Sequence, residues 1–177
     1  MPNVYELWNT WYRTDRNYMK LNLDIGQDLI DHETSDDYYT PPYIFKALDI
    51  EFDIDVCAPP SGVPWIPAKR HYSVIEDGLS QDWIGKVWMN PPYSNPKLWI
   101  NKFIEHNNGV ALIPTSTGQW MLTFWSSPAN WLMLPPMKFA KSDLELAKGF
   151  LPLRCWLIAM GEENVDKLKD SGLGWVR

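Results

Sequence analysis

The sequence predicts an α/β fold: a mostly parallel central sheet with helices on both faces, in one compact domain. Three observations carry this expectation. Short apolar runs recur at 85–89, 109–114, 130–134 and 153–161, the pattern of strands buried on both faces. Segments with helical spacing lie between several of them. The chain has 177 residues, 45% of them hydrophobic, enough for one domain with a real core and hardly enough for two.

Taken in order, residues 1–37 combine Trp8, Trp11 and Tyr12 with Asp24, Asp28, Asp31, Glu33, Asp36 and Asp37. Their weak periodicity suggests an N-terminal arm or short helix ahead of a main domain over 38–177. The carboxylates lack ordered ligand spacing and read as solvated surface. Thr40-Pro41-Pro42 opens a helix over 43–48, with Thr40 as N-cap and Pro41 as first helical residue. Residues 52–58 alternate and are rich in β-branched side chains, so they form the first strand, ending in Pro59-Pro60-Ser61-Gly62. A Pro- and Trp-rich stretch then leads to Lys69-Arg70-His71, followed by a short strand near 71–75 and an acidic turn over 76–79.

The strand at 85–89 must stop at Asn90, because Pro91 and Pro92 cannot donate ladder hydrogen bonds. A helix restarts at Ser94-Asn95-Pro96, with Leu98, Trp99, Phe103 and Ile104 at helical spacing. The strand at 109–114 precedes a helix around 119–125, with Ser116 and Thr117 read as its caps. Strands at 130–134 and 153–161 and a short helix at 165–169 follow. Gly172-Leu173-Gly174 reads as a flexible tail.

The stiff corner Asn90-Pro91-Pro92-Tyr93 lies at the carboxyl end of a buried strand, where open α/β sheets place their ligands. The Asn90 side-chain oxygen and the Pro91 carbonyl can accept from an exocyclic amine, and the Tyr93 ring can stack on a base. That set suits a flat, amino-bearing heterocycle; a stiff turn with a ring packed on the surface is the plainer alternative. Asp55, at the end of the first strand, either accepts from a ligand's ammonium or hydroxyl or is a buried, amide-satisfied carboxylate. Asp77 either bonds an exocyclic amine or ribose or caps the turn with Gly78.

A net charge of −6 argues against indiscriminate binding to phosphate backbone. Positive charge is concentrated at Arg13, Arg16, Lys69-Arg70-His71, Lys138 and Lys141, so a nucleic-acid partner requires one basic face. Eleven Trp and eight Tyr exceed the needs of a core this size, so some should line a surface or cleft. Cys57 and Cys155 lie far apart in apolar runs and read as reduced core residues. His32, His71 and His106 lack partners at metal spacing, and no metal is expected. Tyr5-Glu6-Leu7-Trp8 is unlike a secretory signal and no apolar stretch reaches about 18 residues, so a cytoplasmic protein without a membrane span is expected. Oligomeric state is left open.

Thr40-Pro41-Pro42, the strand ending Asp55-Val56-Cys57-Ala58 and the Asn90-Pro91-Pro92-Tyr93 loop occur in the order found in amino-methyltransferases. With Glu76-Asp77-Gly78-Leu79 and Trp83, the chain resembles the phage-type, Dam-related DNA N6-adenine methyltransferases over roughly residues 38–160. The resemblance implies a Rossmann-like class I methyltransferase fold, S-adenosylmethionine as cofactor and double-stranded DNA as partner, in the host cytoplasm if phage-encoded. It implies that Thr40 and Pro41, with Tyr39 beside them, contact the carboxylate end of the cofactor's methionine. Asp55 and the Cys57-Ala58 backbone would hold its amino-acid portion. Asp77 and Leu79 would lie near its adenine, and Asn90 would border both cofactor and base.

Asn90, Pro91, Pro92 and Tyr93 would form the catalytic corner, with Phe139 stacking on the flipped base from the opposite face. Lys69, Arg70, Lys138 and Lys141 would meet the DNA. The chain departs from the family pattern in three ways. The glycine-rich turn after the first strand is reduced to Pro59-Pro60-Ser61-Gly62. Cys57 to Asn90 is too short for two strand–helix units of about 30 residues each, leaving Glu76 as the candidate for the ribose. No separate target-recognition domain is evident, so loops 59–72 and 136–152 or the N-terminal arm would read sequence. The same corner also suits a protein glutamine amide or an RNA base, and a non-catalytic binding module is the alternative of another class.

Overall fold

Side-chain alternation along the strands sorts the interior into two cores, one on each face of a single sheet. The computed structural model describes residues 39–93, 95–140 and 154–176, all within the unit Ser35–Arg177. The arm expected over 1–37, His32 and Lys141 lie outside the described residues. The elements are α1 (Pro42–Leu48), β1 (Phe52–Asp55), β2 (Ala68–His71), β3 (Val87–Met89), α2 (Pro96–His106), β4 (Gly109–Pro114), α3 (Trp120–Trp125), β5 (Asn130–Met133), β6 (Cys155–Met160), α4 (Glu162–Asp170) and β7 (Trp175–Val176). On one face Trp88, Val110, Leu112, Leu132 and Leu157 pack with Ile44 and Leu48 of α1 and Leu168 of α4. On the other, Val87, Met89, Ala111, Ile113 and Ile158 pack with Ile100 and Phe103 of α2 and Phe124 of α3. Helices on both faces follow from the fully apolar strand runs: every residue of β4 is buried.

The sheet order is β2-β1-β3-β4-β6-β5-β7. β1, β2, β3 and β4 are mutually parallel. β6 runs antiparallel to both β4 and β5, and β7 antiparallel to β5. The expected mostly parallel sheet is therefore mixed: five strands share one direction, and β6 and β7 run against them. An apolar run reads the same in either direction, so its composition does not reveal β6's reversal.

Other departures have local causes. The residue before a proline is forced out of the helical region, and Thr40 and Pro41 both precede prolines. The helix therefore starts at Pro42, with extended Pro41 (ψ 150°) as its N-cap and no side-chain cap; Thr40 does not cap it. The short strand expected at 71–75 lies earlier, at Ala68–His71. This edge strand exposes Lys69, Arg70 and His71, the charged pattern that discourages edge-to-edge pairing. Ser116 accepts from the Gly118 N–H at 3.0 Å in the loop before α3, whose N-cap is Gln119. The expected flexible tail is built into the fold: Leu173 is buried and Trp175 pairs with Met133.

One irregularity in β1 positions the site. The backbone N–H groups of Asp53 and Ile54 both donate to the Lys86 carbonyl, at 2.7 and 3.3 Å, the two-against-one count of a bulge. Phe52 and Ile54 consequently belong to opposite cores, although strict alternation would give them the same face. Asp55 then falls opposite Trp88 in register. The Asp53 carboxylate accepts from the Lys86 N–H at 2.8 Å, tying the start of β3 to β1. A Cβ on Gly85 would lie 2.0 Å from that carboxylate at a φ of +78°, so only glycine fits there.

Candidate functional site

The carboxyl ends of β1 and β3 bring separate parts of the chain around one small cavity of about 20 Å³, among the described residues. Tyr39 and Thr40 line it from the segment before α1, and Asp55, Cys57, Ala58 and Pro59 from the end of β1. Val63 and Ile66 line it from the following loop, and Trp88 and Asn90 from β3 and its exit. Of the candidates for the cofactor, Tyr39, Thr40, Asp55, Cys57, Ala58 and Asn90 thus meet at one chamber. Tyr39 is fixed by paired backbone bonds with Ala140 at 2.9 and 2.8 Å.

The chamber wall is polar and under-bonded. Asp55 is 4% exposed and accepts from the Cys57 N–H at 3.2 Å; burial pushes its carboxyl up to about 7. Thr40 Oγ1 and Trp88 Nε1 are both buried without a hydrogen-bond partner. Buried polar groups nearly always find partners, so two orphans on residues that line one cavity favour a ligand with acceptors there. Burial drives the pKa of the Cys57 thiol upward, opposed in part by the Asn90 N–H; Cys57 and Asn90, from two different loops, both line the cavity.

At the corner itself, Pro91 is buried and Asn90, Pro92 and Tyr93 are half-buried. The Tyr93 hydroxyl donates to Asn90 Oδ1 at 3.0 Å, fixing which end of the amide is the acceptor. Burial holds the Tyr93 phenol well above the usual range, with a smaller contribution in the same direction from Cys155.

Not every candidate is gathered here. Asp77 and Leu79 do not line the cavity; Asp77 Oδ1 accepts from the Leu79 N–H at 3.2 Å, the turn-capping alternative. Glu76 Oε2 accepts from the Ser73 backbone N–H and hydroxyl, at 2.8 and 2.6 Å. Gly78 is needed because a Cβ would lie 2.2 Å from the Val56 carbonyl. The Gly78 carbonyl accepts from Trp83 Nε1 at 2.8 Å, and the Leu79 carbonyl from Lys102 Nζ at 2.7 Å. This turn braces the end of β1. Phe139, expected to stack on a base, is instead 2% exposed within the core beside α1; an aromatic between apolar residues is pulled inward by burial. Lys138 is half-buried. Lys69 bonds Asp53 at 2.7 Å, and exposed Arg70 lies over the Tyr72 ring at 5.8 Å.

Four lining residues escaped sequence reasoning. Pro59, Val63 and Ile66 belong to the 59–72 loop, expected to read DNA sequence rather than to line the cofactor cavity, and Trp88 reads as strand interior. In the same loop, Trp65 Nε1 donates to the Thr40 carbonyl at 2.9 Å, so 59–67 closes the cavity from outside. The Pro and Trp content of 59–67 was the available signal.

The model of the family described as DNA N-6-adenine-methyltransferase (Dam) matches residues 27–121, more than half of the chain. The chain belongs to this Dam family. The family match covers Asp55, the 76–79 turn and the Asn90 corner together. A DNA N-6-adenine-methyltransferase of Haemophilus phage HP1 (strain HP1c1) is 32% identical over 83 residues, 42% of this Dam-family chain and 46% of the phage protein. The chain thus spans about half the length of that relative. No solved structure matches it. Among the described residues of this Dam-family chain, no group of three or more His, Cys, Asp or Glu could hold a metal ion. No described helix is long and apolar enough to cross a membrane. His71 faces the Pro60 carbonyl at 3.3 Å and His106 the Gly85 carbonyl at 2.8 Å.

Proposed function

We propose that this chain methylates the exocyclic N6 of adenine in double-stranded DNA, using S-adenosylmethionine, with the target base flipped to the Asn90-Pro91-Pro92-Tyr93 corner. Residues 38–177 act as one Rossmann-like methyltransferase domain, with 1–37 as an N-terminal arm. The observation that carries this reading is the single cavity shared by Thr40, Asp55 and Asn90, in a chain of the Dam family. The wall chemistry fits a cofactor bearing an ammonium and acceptor groups: a buried carboxylate and two unpartnered donors. Thr40 and Asp55 would hold its amino-acid portion, with the Cys57-Ala58 backbone beside them. When bound, the cofactor supplies an electrophilic methyl group on a sulfonium.

The chain's own residues do the rest. The exocyclic amine of adenine is a poor nucleophile because its lone pair is delocalised into the ring. Hydrogen bonds from that amine to Asn90 Oδ1 and the Pro91 carbonyl favour a more tetrahedral nitrogen. They also fix its direction, and such alignment supplies several kcal/mol of a barrier. Asn90 Oδ1 has two lone pairs; the Tyr93 hydroxyl takes one and leaves one for the base. Tyr93 offers its ring for stacking, which offsets the few kcal/mol of base extrusion. With Phe139 in the core, stacking from the other face falls to a different group. Exposed Arg70, with Lys69 released from Asp53, contributes to the DNA contact.

A cavity of about 20 Å³ holds roughly one water, so cofactor binding requires the 59–67 loop to move. The direct test is transfer of radiolabelled methyl from S-adenosylmethionine to duplex DNA, single-stranded RNA and protein extract in parallel. Label in N6-methyladenine of the duplex supports the proposal. Label confined to RNA or protein, or no label in any arm, contradicts it.

A further inference from the structure

We infer that Trp88 is a specificity-determining residue whose indole N–H, together with the Thr40 hydroxyl, receives the carboxylate of the cofactor's amino-acid portion while Asp55 takes its ammonium. The inference rests on the proposed cofactor reading and adds to it a residue in mid-strand that no motif marks.

Trp88 lies in β3 with its side chain fully buried. Its ring is fixed by contacts with Phe45 at 4.7 Å and Phe52 at 5.7 Å between centroids. Its apolar body is thus satisfied by the core. The N–H is not: Nε1 is buried, unpartnered, and belongs to a residue lining the cavity. An indole nitrogen can only donate, so the group it awaits is an acceptor. A phenylalanine would fill most of the same volume without leaving an orphan donor, so packing alone does not account for tryptophan here.

The partners define the ligand chemistry. Thr40 Oγ1 is a second buried, unpartnered group in the same wall. Asp55 sits directly across from Trp88 in the sheet register, on the Trp88 side because of the β1 bulge. Two donors facing an acceptor-bearing anion, beside a carboxylate facing a cation, complement a zwitterionic α-amino acid group. A phosphate would be repelled by Asp55, and a neutral ribose, although its hydroxyls can donate to Asp55, brings no anion for the two donors. Rejecting a ligand that lacks the partner group is where such buried polar sites gain selectivity.

The test is calorimetry with two ligands: S-adenosylhomocysteine, which carries the amino-acid group, and 5′-methylthioadenosine, which keeps the nucleoside and thioether but lacks it. Trp88→Phe is expected to bind S-adenosylhomocysteine about tenfold more weakly than wild type and 5′-methylthioadenosine within about twofold. Replacement of Trp88 by benzothienylalanine, which keeps the bicyclic volume and lacks the N–H, is expected to give the same selective loss if the phenylalanine variant folds poorly. Loss of both ligands in parallel, or of neither, overturns the inference. Wild-type protein that binds no S-adenosylhomocysteine overturns the cofactor reading itself, and this inference with it.

Discussion

The Tyr93 hydroxyl donates to the side-chain oxygen of Asn90 at 3.0 Å, linking the first and last residues of the proline-braced corner. This bond orients an amide that could otherwise turn end for end. Removing the hydroxyl and keeping the ring, in Tyr93→Phe, separates orientation from stacking. A bond of this kind contributes roughly 1 kcal/mol, so kcat for methyl transfer should fall about five- to tenfold with cofactor affinity unchanged. An unaltered kcat in single-turnover assays would remove Tyr93 from the orienting role.

Asp55 provides a pH signature. Burial pushes its carboxyl up to about 7, above the unfolded value near 3.9. The folded state therefore holds this proton more tightly than the unfolded chain. Stability contributed by the protonated form is complete below about pH 4 and is lost as pH rises towards about 7. The exposed carboxylates Asp49 and Glu76 and the half-buried Asp53 have lowered pKa values from hydrogen bonds with Lys167, Ser73 and Lys69 respectively, so they act in the opposite sense and at lower pH. Melting temperatures of ligand-free Asp55→Asn and wild type should diverge between about pH 4 and 7, with the variant the more stable at pH 8. Parallel curves across that window would refute the buried, shifted carboxylate. The same variant should bind S-adenosylhomocysteine at least tenfold more weakly, because the ammonium loses a charged partner.

The 59–67 loop is held in part by the Trp65 indole on the Thr40 carbonyl, at 2.9 Å, and by a T-shaped contact between the Trp65 and Tyr39 rings, 6.2 Å between centroids. Trp65→Phe removes the hydrogen bond and keeps a ring. If this loop must open to admit a ligand, the association rate of S-adenosylhomocysteine should rise several-fold in stopped-flow measurements. An unchanged rate would mean that the loop does not gate the cavity.

Much of this arrangement was legible in the sequence because prolines and apolar runs constrain the backbone directly. The strand that stops at Asn90, the β4 boundaries and helices on both sheet faces all follow from such signals. Thr40, Asp55 and Asn90 meet at one cavity although Thr40 and Asn90 are 50 positions apart (90 − 40), because parallel strands deliver their carboxyl ends to one edge. What escaped detection depends on long-range pairing. The reversal of β6 has no compositional mark. The β1 bulge arises from two donors sharing the Lys86 carbonyl, and it moves Asp55 to the Trp88 side against simple alternation. Phe139 carried an expected role by analogy, but its burial depends on packing against α1 that a local reading does not contain. Thr40 illustrates a misjudged competition: its capping preference is real, yet two following prolines exclude it from the cap and leave its hydroxyl for the cavity.

The most direct test of the account pairs product analysis with binding for Asn90→Ala. Duplex DNA incubated with wild-type protein and S-adenosylmethionine should yield N6-methyladenine by mass spectrometry. The variant should yield at least a hundredfold less while its affinity for S-adenosylhomocysteine stays within about threefold. Methylation by Asn90→Ala at the wild-type rate would contradict the account.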